Sequence, residues 1–171
     1  MIRVVVEDLA FLAAAAVVRP ATARLDPTTP AVRRLETVGG TAFTRGLQLQ
    51  KELTVGAAVV TAGGGDLPAE FVIHAVIQSD KETVSRAGVA RAWLSVLQRA
   101  QEWQFTRVTA PPLGIGAGNL TVEDAAEIMV TVVKAHREMA AFPVDVCFVV
   151  ETPEDRDVFD AALKRAAASE S

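Results

Sequence analysis

Gly114, Gly116 and Gly118 occupy alternate positions in PPLGIGAGNLTVEDAAEIM, between an apolar strand-like run and a stretch with a strong helix-start signal. Glycine lets a backbone approach a phosphate closely and adopt conformations closed to other residues. Amides left without partners at a helix start, together with the positive pole of the helix, favour an anion. The context therefore suits a phosphate cradle, with a plain strand-to-helix turn as the alternative. Spacing alone does not decide between them: no Lys-Ser or Lys-Thr follows, and the interval is not that of a dinucleotide fingerprint. Glu123 and Asp124 favour the helix start by its dipole, yet would repel a diphosphate lying close by.

Other residue types capable of chemistry read as structural. His74, within FVIHAV, has no cysteine or second histidine nearby to complete a metal site and reads as a hydrogen-bonded strand histidine. His136 lies near the end of a long helix, where a cation is welcome. Cys147 is the sole cysteine, sits in the apolar run VDVCFVV and reads as a buried thiol. Gly63, Gly64 and Gly65 precede a strand and not a helix, so they read as a hairpin turn. Arg19, Arg24, Arg33 and Arg34 cluster in sequence; they read either as surface charge or as side chains that hold an anion, Arg19 and Arg24 above all.

These residues need elements to position them. Apolar runs at 2–6, 15–18, 55–61, 71–76, 106–111 and 144–150 predict strands, the second stopped by Arg19 and Pro20, the third and fourth forming a hairpin. Helices are predicted from Pro30 onward and over 83–102, 121–139 and 153–167, with Thr121 and Asp124 approximating a capping box. Strands and helices mixed along one chain predict an α/β protein, a three-layer α/β/α sandwich with a mixed central sheet. The 171 residues fit one domain spanning 1–171, with the last few residues expected to be disordered.

Half the residues are hydrophobic and 22% are charged, which excludes a disordered chain. A net charge of −4 argues against a nucleic-acid surface. The run LAFLAAAAVV is too short to span a bilayer and follows Glu7 and Asp8, where a signal peptide would be basic. A cytoplasmic protein with no membrane partner is expected.

The segment APPLGIGAGNLTVEDAAEIM resembles the second ligand loop of macro domains, a Pro-x-Leu-Gly-x-Gly pattern that wraps an ADP-ribose diphosphate in that family. VEDLAFL is similar to the family's Gly-Asp-Ile strand end, VGAAVVTAGGGDLPAEFVIHAV to its hairpin, and VDVCFVVETPEDRDVFDAAL to its final strand and helix. The resemblance implies the macro fold. It also implies a site for ADP-ribose or a related nucleotide, made of Asp8, Leu9, Gly114, Ile115, Gly116, Ala117, Gly118 and Asn119, with no cofactor or metal.

The chain departs from the family at its first loop. The Asn-Ala-Ala-Asn stretch is replaced by Arg19, Pro20, Ala21 and Thr22, and the glycine run that follows by LDPTTPAV, in which Pro27 and Pro30 bring no N–H. No aromatic ring follows the last strand, where Val150 and Glu151 stand instead. No substitute general base is evident, so nucleotide binding without hydrolase activity is expected, an ADP-ribose-processing hydrolase being the enzymatic alternative. A structural, oligomeric protein with a closed pocket is the reading from a different class.

Overall fold

The β-branched and alanine-rich runs form strands because they are covered on both faces. The computed structural model describes residues 1–47, 52–116 and 119–169. Its strands are β1 (Ile2–Val6), β2 (Ala14–Thr22), β3 (Ala58–Ala62), β4 (Ala69–Gln78), β5 (Arg107–Ala110) and β6 (Asp145–Val150). They form one sheet in the order β1-β6-β5-β2-β4-β3, in which only the β3–β4 hairpin is antiparallel. The helices are α1 (Pro30–Gly46), α2 (Arg86–Trp103), α3 (Val122–Met139) and α4 (Pro153–Ala168).

Alternation along β2 shows how both faces are used. Ala16 and Val18 join Ile73, Ala75 and Ile77 of β4 in the core beneath α2, α3 and α4. Val17 and Val72 point the other way, toward Val32, Leu35 and Phe43 of α1. Trp93 of α2 is fully buried in the larger core, and its indole N–H donates to the Met129 carbonyl at 2.9 Å. The result is the three-layer sandwich with a mixed sheet that the pattern of elements predicts.

Helix starts follow the caps. Thr29, Ser85, Thr121 and Thr152 each accept an amide of their own first turn, and Thr121 with Asp124 makes a reciprocal capping box. Helix α2 thus begins at Arg86, after its cap Ser85 and not at 83. The expectation that Arg19 and Pro20 stop β2 is corrected: the strand runs through both to Thr22. Beyond Val17 the strand has no ladder to β5, so the N–H that Pro20 lacks is not missed on that side. The expected disorder at the C-terminus bears partly on residues 170 and 171, outside the described residues; Ser169 caps α4. Among the described residues no helix is long and apolar enough to cross a membrane.

Candidate functional site

The connections leaving β2 and β5 run in opposite directions across the sheet, one toward β4 and the other toward β6. In open α/β sheets the crevice at such a switch point, outside the carboxyl ends of the strands, is where ligands bind. A cavity of about 380 Å³ lies there. Its size falls within the range of small-molecule sites. Each neighbouring strand end contributes to it: Glu7 follows β1, Pro20 belongs to β2, Pro111 and Pro112 follow β5, and Val149 and Val150 close β6.

The loop after β5 forms one wall. Leu113 is fully buried and anchors it, its amide facing the Met129 sulfur at 3.4 Å. Gly114 (φ +91°) and Gly116 (φ +75°) hold conformations that side chains rarely adopt. A Cβ on Gly114 would lie 2.6 Å from a Leu120 methyl, and one on Gly116 would lie 2.8 Å from the Thr29 methyl. Among the described residues, no backbone acceptor meets the amides of Gly114, Ile115 or Gly116. Thr29 caps α1 and lines the cavity, so the positive pole of that helix faces the same space.

The opposite end has a different character. Leu9, Val149 and Val150 give it apolar walls, with Glu7, Glu151 and Asp155 around it. Asp8 sits at its edge. One of its carboxylate oxygens accepts the Ala10 amide at 3.0 Å, capping the short turn Leu9–Phe11, and the other lies 3.2 Å from Arg34 Nε. Arg34 Nη2 also donates to Glu151 at 3.2 Å. Arg34 therefore ties α1 to the ends of β1 and β6.

Of the residues expected at the site, Leu9, Ile115 and Gly116 line the cavity and Asp8 stands at its rim. Gly114 is buried behind the wall, and Asn119 donates through Nδ2 to the Val84 carbonyl at 2.7 Å. Ala117 and Gly118 lie outside the described residues.

The two arginines read as possible anion contacts are elsewhere. Arg19 is fully buried: its Nη2 donates to Glu36 at 2.6 Å and to the Leu25 carbonyl at 2.8 Å. Register explains this, because Arg19 lies on the α1 face of β2, directly beside His74 of β4. Arg19 Nη1 faces His74 Nδ1 at 3.3 Å, and an arginine can only donate, so Nδ1 is the acceptor. The proton is then on Nε2, which donates to Thr61 Oγ1 at 2.7 Å. Burial, and then the Arg19 charge, pushes the His74 pKa down to about 3, so the ring is neutral. Arg24 is exposed, paired with Glu52 at 2.8 Å and Asp80 at 3.3 Å, in a small hollow whose carboxylates oppose an anion.

Arg34, one of the arginines read as surface charge or as an anion contact, lines the cavity, and Pro20, Thr29 and Val32 enter it without having been singled out as ligand contacts from sequence. Their signal was the resemblance itself, which placed the first loop at the ligand; once its asparagines and glycines were gone, no motif marked the residues that replaced them.

The macro domain family profile matches residues 18–129. An uncharacterised protein of Aeropyrum pernix is 32% identical over 120 residues, 70% of this chain and 63% of that protein, so the chain spans less than two thirds of this relative's length. Among solved structures, a macrodomain mutant of Oceanobacillus iheyensis with ADPR superposes with a TM-score of 0.85 at 18% identity, covering 96% of this chain and 92% of that one. A Trypanosoma brucei macrodomain in complex with ADP-ribose gives 0.84 at 16% identity, covering 95% and 68%. At such identities the likeness is one of fold. With the profile match over most of its length, the chain belongs to the macro domain family.

Proposed function

We propose that this protein binds ADP-ribose or a related nucleotide in the cavity at the strand ends, without hydrolysing it. The observation that carries the reading is the wall formed by Ile115 and Gly116. Its amides have no backbone acceptor among the described residues, and it faces the capped start of α1. Such amides and the helix pole suit a diphosphate. The apolar end at Leu9, Val149 and Val150 suits a flat base. The relatives described above with ADPR and ADP-ribose support the same ligand class.

Absence of hydrolysis is inferred from the lining. Among the described residues the cavity wall carries no histidine, cysteine or lysine, and His74 is neutral and buried on the α1 side of the sheet. Glu151 is committed to an ion pair with Arg34, and among the described residues no side-chain partner orients the other lining carboxylates, Glu7 and Asp155, as a general base would be. The cytoplasmic location expected from composition and the lone cysteine belongs with this reading.

Calorimetric titration of the purified chain with ADP-ribose, ADP and GDP tests it. Binding in the micromolar range is expected for at least one of them, abolished by Gly116→Glu, which would fill the space beside Thr29 with a side chain and a negative charge. No heat with any of the three overturns the proposal. Release of ribose or phosphate from bound ligand, seen by chromatography, overturns the non-hydrolytic part.

A further inference from the structure

Within that nucleotide reading, the rim of the apolar end says which kind of base it is built to take. A flat heteroaromatic group between Leu9, Val149 and Val150 must present its polar edge to the rim. Asp8 stands at that rim, between the lining residues Glu7 and Leu9, but it is already engaged. One oxygen takes the Ala10 amide at 3.0 Å and the other lies 3.2 Å from Arg34 Nε. Arg34 itself is held in place by two carboxylates, since its Nη2 also reaches Glu151 at 3.2 Å.

A guanidinium has five N–H donors and no acceptor. Nε and Nη2 of Arg34 have partners, whereas Nη1 has none among the described residues, and the side chain lines the cavity. The group fixed at the rim is thus a planar donor.

We propose that Arg34 converts this edge of the cavity into a hydrogen-bond donor, so that the protein selects a nucleotide with a 6-oxopurine base, guanine or hypoxanthine, over adenine. O6 and N7 of a 6-oxopurine are adjacent acceptors, the pair that an arginine fork matches best. Adenine offers N7 but places a 6-amino donor where O6 would be, setting donor against donor beside a full positive charge. The carboxylates of Glu7 and Glu151 stand at the same end to accept the N1–H of a 6-oxopurine, a donor that adenine lacks. Arg34 is a specificity-determining residue on this account, and the phosphates keep their place at Ile115 and Gly116.

The test is calorimetry of GDP, IDP and ADP against the wild-type chain and Arg34→Gln. GDP and IDP are expected to bind at least about tenfold tighter than ADP to the wild type, as a good bidentate arginine contact discriminates. In Arg34→Gln the ratio should fall close to one, with ADP no weaker than before because Asp8 regains an oxygen. ADP binding the wild type as tightly as GDP, or a GDP preference that survives Arg34→Gln, overturns the inference and leaves the nucleotide reading intact. Failure of all three to bind, with ADP-ribose failing too, overturns both. The thermal midpoint of Arg34→Gln checks that the variant is folded, and a circular dichroism spectrum equal to wild type is expected.

Discussion

Two loops reach the cavity, one after β2 and one after β5, and they are built on opposite plans. The loop after β5 is anchored at its ends, by Leu113 in the core and Asn119 on the Val84 carbonyl, and carries glycines with positive φ between them. The loop after β2 is closed on itself. Thr22 Oγ1 accepts the amides of Arg24 and Asp26, the Thr22 amide donates to the Asp26 carbonyl, and Leu25, buried, donates back to the Thr22 carbonyl. The Leu25 carbonyl in turn takes Arg19 Nη2. Polar groups of the first loop therefore serve the fold, and those of the second remain available to a ligand. Substitutions around the first should act on stability and those in the second chiefly on binding.

Removing Arg19 should break that contrast most severely. Arg19→Met leaves the Glu36 carboxylate, 24% exposed, without its counter-charge, and strips the Leu25 carbonyl and His74 Nδ1 of their donor. Breaking a buried pair from one side costs about 3–5 kcal/mol, and the partial exposure of Glu36 places the expected loss near ~3 kcal/mol. Urea unfolding should show a lower midpoint at unchanged slope. Adding Glu36→Leu should recover part of the loss, since an apolar pair in place of a buried ion pair is often neutral or better. Nucleotide affinity of the folded fraction is expected to stay within about twofold, because Arg19 does not line the cavity. No recovery in the double variant would mean that the Leu25 and His74 contacts, and not the charge pair, dominate.

A smaller effect should come from the second loop, and there it should divide between two glycines. Gly114→Ala places a methyl 2.6 Å from Leu120 and 3.0 Å from Val89 at a φ of +91°. Backbone strain of roughly 1–2 kcal/mol plus some overpacking gives an expected loss of about 2 kcal/mol. Gly116→Ala is exposed and meets only the Thr29 methyl, so its stability cost should be the lesser, while its effect on ligand affinity should be the greater. Chemical denaturation and calorimetry on the same two variants separate the quantities. Equal stability losses, or a loss of affinity confined to Gly114→Ala, would refute the division.

The layers and most of the strands were legible in the sequence because apolar runs, glycine turns and threonine caps are local signals. Thr121 with Asp124 and the hairpin around Gly64 needed no partner to be recognised. The end of β2 was not legible. Proline is a stop signal only where a ladder needs its N–H, and the absence of β5 beyond Val17 is a tertiary fact. The place of Arg19 was hidden for a related reason: its neighbour His74 comes 55 residues later, and only register brings them together. Ile115 and Gly116 were found through the loop motif and Leu9 through the strand end VEDLAFL, whereas Arg34 was one of four arginines read either as surface charge or as an anion contact. Nothing in its spacing announces that Asp8 and Glu151, which follow β1 and β6, meet on it.

Acid should weaken the β2 side of the molecule by a mild and calculable slope. His74 titrates near 6.5 in an unfolded chain and at about 3 in the folded one, because burial and then Arg19 disfavour its cation. Above pH 6.5 both states carry the neutral ring and there is no contribution. Between 6.5 and 3 the unfolded chain takes up a proton that the folded chain refuses, so this group lowers stability as the pH falls, by roughly 1 kcal/mol per pH unit. Below about 3 both states are protonated and the contribution levels off. His74→Gln can still accept from Arg19 and donate to Thr61, so it should remain folded while losing this slope. The unfolding free energy of the wild type minus that of the variant, measured at pH 7, 6 and 5, should therefore fall as acid is added, whatever its value at neutral pH. Parallel curves would mean that His74 gains its proton in the fold almost as readily as in the unfolded chain. The dry, donor-filled surroundings of Arg19 would then not be the barrier that separates this side of the sheet from the open cavity.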